Sequence, residues 1–158
     1  MKKTLLRLLL VVGLACGLTP LMSCSHDDDD DVEVVVTQKD LPQAAQTFLN
    51  TFFNGYTVLK IEKETNGNIT LYDVDLQGGY EVVFNNAGDW IEVDAPDGQS
   101  IPDGIAPPVI AEYVNSNYPD YGINEINRTG NGYNVELTTG LDLTFNESGE
   151  MTGIGNMY

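Results

Sequence analysis

The chain has 158 residues, with 24 Asp or Glu against seven Lys or Arg and a formal net charge of −17. Every acid lies beyond Cys24, where Lys39, Lys60, Lys63 and Arg128 are the only bases, so the chain from Cys24 onward carries −20. A surface of that sign repels nucleic-acid phosphates and anionic lipid head groups, which excludes DNA and RNA as partners.

The first 23 residues read as a signal peptide. Lys2, Lys3 and Arg7 form a positive region, Leu8 to Leu18 an apolar one, and Thr19 to Ser23 a short polar exit. A membrane span needs about 20 apolar residues, and this run is broken by Gly13, Gly17 and Pro20. Leu21-Met22-Ser23-Cys24 resembles the bacterial lipobox, which implies that Cys24 is acylated and becomes the anchored N-terminus on a membrane. Cys16 falls in the discarded segment, so the folded part is expected to have no disulfide and to rely on its core.

Ser25 and His26 lead into five aspartates, Asp27 to Asp31. A block of like charges repels itself and stays solvated, so residues 24–37 are expected to form a disordered acidic tether. The run also resembles the acidic signal that follows the lipidated cysteine of Bacteroidetes lipoproteins exported to the cell surface. That resemblance implies an outer-membrane anchor and surface display, with the periplasmic face as the alternative.

Residues 38–97 and 98–158 read as two copies of one unit, and their length suits one compact body. In the first, Ala45, Phe48, Leu49, Phe52 and Phe53 fall at helical spacing, with Asp40 as the expected N-cap and Pro42 in the first turn. Ile101-Pro102 opens the second, where Val109, Ile110, Tyr113, Val114 and Tyr118 repeat the spacing. Asn54-Gly55 and Pro119-Asp120 are the stop signals.

After each helix the copies align at an offset of 65, as in Tyr56/Tyr121, Val58/Ile123 and Lys63/Arg128. From Val74 to Trp90 the offset is 61, pairing Leu76/Leu137, Gly79/Gly140, Phe84/Phe145 and Gly88/Gly149. The difference places four extra residues in the first hairpin, around Asn66-Gly67-Asn68. Tyr72, Val74 and Leu76 alternate with Asp73 and Asp75, and Tyr133, Val135 and Leu137 with Asn134 and Glu136. Period-2 alternation means a sheet with one buried and one wet face. The expected fold is α+β, a tandem repeat of a helix plus a three- to four-stranded antiparallel meander. The two units share one sheet with the helices on one face, since about 60 residues alone bury only a modest core.

The pattern L-P-x-A-x-x-F-L-x-x-F-F-x-G-Y-x-V, then Y-x-V-x-L-x-x-G-Y-E-V-x-F-x-x-x-G-x-W, then a second copy ending G-L-x-L-x-F-N-x-x-G, resembles the PepSY-like, β-lactamase-inhibitor-like lipoproteins of Bacteroidetes. The similarity runs from Leu41 to Gly149. It implies helices on one side of a shared antiparallel sheet. In β-lactamase inhibitory protein, which has that fold, the concave sheet face grips an enzyme.

Catalytic groupings are missing from the sequence. His26 is the sole histidine and sits in the acidic run, and beyond Cys24 there is no thiol, no G-x-S-x-G elbow and no phosphate-binding glycine loop. The chain is therefore read as a non-enzyme without a cofactor. Asp89, Glu92, Asp94, Asp97 and Asp103 suit Ca²⁺ in oxygen chemistry but lack the order of an EF-hand loop, so they read as a solvated acidic linker and no metal is assigned. The sequons at Asn68, Asn127 and Asn146 read as chance in an Asn-rich chain.

The wet face is the candidate site. If Ile91 and Val93 continue the buried side, Trp90 projects onto the open face beside Lys60, Asp73, Asp75, Glu81, Val83 and Glu92, with Met151 as its counterpart in the second unit. A bulge after Gly88 would instead turn Trp90 into the core. A Trp ringed by acids suits a basic protein partner, such as a secreted enzyme or peptidase to be restrained. A glycan or cation is the alternative ligand.

Overall fold

The computed structural model describes residues 32–156. Nine strands form a single antiparallel sheet in chain order: β1 (Val32–Val35), β2 (Val58–Asn66), β3 (Ile69–Leu76), β4 (Glu81–Asn85), β5 (Trp90–Asp94), β6 (Ile123–Thr129), β7 (Gly132–Leu137), β8 (Leu141–Asn146) and β9 (Met151–Asn156). Helix α1 (Gln43–Phe52) precedes β2, and α2 (Pro108–Asn117) lies between β5 and β6, so a helix followed by four strands occurs twice. The register Glu92↔Asn127, Val93↔Ile126 and Asp94↔Glu125 joins β5 to β6 and makes the sheet continuous.

Both helices pack on the same side. Ala45 and Leu49 of α1, and Ile110 and Val114 of α2, enter one core with Val74, Leu76, Val82, Phe84, Val93, Ile126, Val135, Leu137, Leu143 and Phe145. The copies use matching ring contacts. Phe48 meets Phe84 edge-on at 5.5 Å and 81°, and Tyr113 meets Phe145 at 5.5 Å and 83°, a geometry that aromatic quadrupoles favour.

Asp40 does not cap α1. It closes a 3₁₀ turn at Gln38–Asp40, where its Oδ2 accepts the Thr37 amide at 2.9 Å and hydroxyl at 2.7 Å, and Pro42 occupies the N-cap of the helix that follows. Pro42 serves there because its fixed φ of −53° sets up the first turn.

The four extra residues of the first hairpin lengthen both of its strands. β2 has nine residues against seven in β6, and β3 has eight against six in β7. The longer β2 gives β1 its partner, through Val32↔Thr65, Glu33↔Glu64, Val34↔Lys63 and Val35↔Glu62. Val32–Val35 is thus an edge strand, a correction to the tether expected over residues 24–37; the rest of that tether up to Asp31, with Cys24, lies outside the described residues.

Turns at Asn85 and Asn146 are built alike. Asn85 Oδ1 accepts the amides of Ala87 and Asp89, and Asn146 Oδ1 those of Ser148 and Glu150. Gly88 has φ +86°, and a Cβ there would stand 2.8 Å from the Ala45 amide nitrogen, so only glycine lets this turn dock on the start of α1.

Candidate functional site

Cross-strand register decides what the face opposite the helices carries. One row of paired positions crosses the sheet from β2 to β8 as Lys60, Asp75, Glu81, Asp94, Glu125, Glu136 and Asp142. Six carboxylates therefore stand on consecutive strands, each opposite the next, at the interstrand spacing of about 4.8 Å. A second row runs Val35, Glu62, Asp73, Val83, Glu92, Asn127, Asn134 and Thr144. Like charges directly opposite one another destabilise a sheet by roughly 0.2–1 kcal/mol per pair. Stability alone would not choose this row.

The electrostatics are uneven across the face. Lys60 pairs with Glu62 and holds that carboxyl below its usual range. Asp73 lies inside the acidic field; burial first, then Glu81, Asp75, Glu62 and Glu64, push its carboxyl up to about 7. Its Oδ1 is buried without a hydrogen bond, so protonation lowers the cost of keeping it there. Glu125 is buried as well, and the Asn127 amide donates to its Oε1.

Of the residues singled out in the sequence, Lys60, Asp73, Asp75, Glu81, Val83 and Glu92 share this face. Trp90 does not. A bulge between β4 and β5 pairs Val83 with Glu92 and Phe84 with Trp90, leaving Ile91 as the extra residue. An extra residue reverses the face of everything beyond it, so Trp90 shares the helix side with Phe84, is 7% exposed, and belongs to the core. The Arg128 guanidinium lies 4.0 Å from the Trp90 ring centroid and covers its outer surface. Met151 is corrected in the same way: it pairs with Phe145 beside a matching bulge at Thr152 and packs against the core, not against Glu136 and Asp142.

Asn124 was not singled out in the sequence. It is the bulge residue of β6, buried, and its Nδ2 donates to the carbonyl oxygens of Ala95, Pro96 and Gln99 at 3.1, 3.0 and 2.8 Å. It fastens the connection between the two units to the sheet. The only signal in the sequence is an Asn at the position occupied by Leu59 in the first unit, which gives no hint of burial.

The acids considered for Ca²⁺ disperse: Glu92 and Asp94 stand on the open face, while Asp89 accepts from Asn85 in its turn. Among the described residues no three His, Cys, Asp or Glu are grouped to hold a metal ion, and no helix is long and apolar enough to cross a membrane.

The family described as "Putative beta-lactamase-inhibitor-like, PepSY-like" matches residues 70–152. The chain belongs to this family. A "putative calcium-regulated periplasmic protein" of Bacteroides thetaiotaomicron has a similar structure, with 31% identity, a TM-score of 0.74, and coverage of 78% of this chain and 97% of its own. A "putative periplasmic protein" of Bacteroides vulgatus is similar at 31% identity and TM-score 0.74, over 84% of this chain and 100% of its own. A second Bacteroides vulgatus protein, described as a "putative periplasmic protein of unknown function", matches at 31% identity and TM-score 0.74, over 79% of this chain and 100% of its own. No curated protein matches the chain.

Proposed function

We propose that this PepSY-like chain is a non-catalytic envelope protein that binds a basic protein across its open sheet face and thereby restrains a secreted enzyme or peptidase. The observation that carries the reading is the row of six carboxylates on consecutive strands, a repulsive arrangement that a cationic partner relieves. The family name points to inhibition, and the sequence beyond Cys24 supplies one histidine, in the acidic run, and no thiol for chemistry. The test is a pull-down from envelope extract with the chain and with its Glu81→Gln, Glu125→Gln, Glu136→Gln triple variant, at low and high salt. Basic proteins held by the parent at low salt and lost by the variant are the expected result. Equal retention by the two chains, or a recovered set dominated by acidic proteins, would sink the reading.

Export and anchoring belong to the same proposal. The signal pattern and Ser23-Cys24 support acylation at Cys24 on the outer membrane, and the acidic run supports surface display over the periplasmic face. Cys24→Ala should leave the protein unlabelled by palmitate and free of the membrane fraction. Retention of that variant on membranes, with no lipid label on the parent, would remove the anchor.

A cation is the second reading, because the Bacteroides thetaiotaomicron relative is described as calcium-regulated and hard carboxylate oxygens suit Ca²⁺. Calorimetric titration with CaCl₂ separates the two: saturable heat lost in the triple variant favours the ion, and its absence favours the protein. Trp90, being in the core, is not open for a glycan to stack on.

A further inference from the structure

The two edges of the sheet differ in chemistry. β1 carries Glu33 and follows directly on the five aspartates, and charge of this kind guards an edge against strand addition. β9 reads Met-Thr-Gly-Ile-Gly-Asn, without a charge or a proline, and among the described residues no further strand pairs with it. The bulge at Thr152 precedes a regular stretch in which Gly153 pairs with Thr144, Ile154 with Leu143 and Gly155 with Asp142. Alternate residues of such an edge turn their N–H and C=O groups outward, toward any chain that lies alongside.

Both faces stop short at this edge. On the open side the carboxylate row ends at Asp142, beside Gly155, which has no side chain to place next to it. Gly153 is equally bare, because a Cβ there would stand 2.7 Å from Thr144 Oγ1. On the helix side Leu143 is fully buried while its partner Ile154 is 59% exposed, so the core ends half covered.

We infer that β9 is the docking edge for an extended segment of the partner, added as a tenth strand, in which basic and apolar residues alternate. A strand about 4.8 Å beyond β9 would set its basic residues next to Gly153 and Gly155, where the missing side chains let a Lys or Arg stem lie across β9 toward Asp142. Residues of the other parity would cover Ile154. Charge complementarity selects this occupant over a second copy of the chain, since β9 offers no base and β1 offers Glu33. The inference rests on the cationic-partner reading above and narrows it from a face to an edge.

The test uses the full chain and an eight-residue peptide of alternating lysine and valine, with a glutamate-valine peptide as control. Hydrogen exchange should show protection of the amides of Met151–Asn156 by the lysine peptide alone. Its affinity should fall by about tenfold or more in Asp142→Lys, where like charges meet. It should fall by roughly two- to fivefold in Ile154→Lys, an exposed position whose change leaves the fold intact, and should hold in Val34→Lys on β1. Protection at Val32–Val35, or a peptide-free dimer in sedimentation whose interface is β9, would overturn the assignment. Protection confined to β3–β7 would also overturn it while leaving the cationic open face standing, and failure of polylysine to bind the chain at all would remove both.

Discussion

The two faces of the sheet are made by the same strands and obey opposite rules. Toward the helices, opposed positions hold apolar pairs such as Val82↔Val93 and Val135↔Leu143, all at most 1% exposed. Toward solvent, the next positions along those strands hold Glu81↔Asp94 and Glu136↔Asp142. The first set is what a fold needs, and the second is what it tolerates. Stability should therefore depend on the helix side, and partner binding on the open side.

The sharpest way to break that division is at Phe84 and Trp90, which pair with each other on the helix side. Each change to Ala should lower the unfolding free energy by about 3–5 kcal/mol, the range for large aromatic-to-small changes in a core. A denaturant titration in which Trp90→Ala shifts the midpoint by less than a quarter as much as Phe84→Ala would return Trp90 to the surface.

Asp73 probes the opposite face. Its carboxyl ionises near 7 in the folded chain and near 3.8 in the unfolded one, so the folded state holds the proton more tightly. The resulting stabilisation is complete below pH 3.8 and is lost as pH rises through 7. Asp73→Asn should thus gain roughly 2–4 kcal/mol at pH 8 and little at pH 4. Denaturant midpoints of the two proteins that stay parallel across this range would show that Asp73 is not held in the acidic field.

Asn124 and Leu59 are equivalent bulge residues with different environments. Asn124→Ala should cost about 1–3 kcal/mol, because three carbonyl oxygens lose their donor. Leu59, 65% exposed, should tolerate Ala within about 0.5 kcal/mol. Comparable losses in thermal unfolding of the two variants would mean that the connection at residues 95–99 is held by something other than Asn124.

Arg128 gives a smaller expected effect than Asn124. Arg128→Ala should remove about 0.5–1 kcal/mol of stacking on Trp90, with a change in Trp fluorescence that Arg128→Lys partly restores. An unchanged emission spectrum in Arg128→Ala would place the guanidinium away from the ring.

Much of this was legible beforehand for a definite reason. Helical spacing in α1 and α2, alternation in the strands and the recurring Asn-x-x-Gly turns are local signals, and each unit carries them at matching positions. The face of Lys60, Asp73, Asp75, Glu81, Val83 and Glu92 follows from counting by twos. Counting by twos fails at a bulge, because one extra residue reverses the parity of all that follows. Ile91 and Thr152 are such residues, and only the pairing of Phe84 with Trp90, and of Phe145 with Met151, reveals them.

The one-dimensional pattern was sufficient for the α+β class, the two helices and the acidity of one face, since each depends on residue type and spacing. The three valines of Val32–Val35, interrupted by Glu33, carry no mark of a strand until the lengthened β2 offers them an edge. Asn124 likewise becomes structural only where the connection at residues 95–99 folds back over it. The acidic row shows the same dependence at the largest scale. Its six members are spread over 68 positions of chain, and it is the pairing of β3 through β8 that lines them up, because antiparallel register converts distant residues into neighbours.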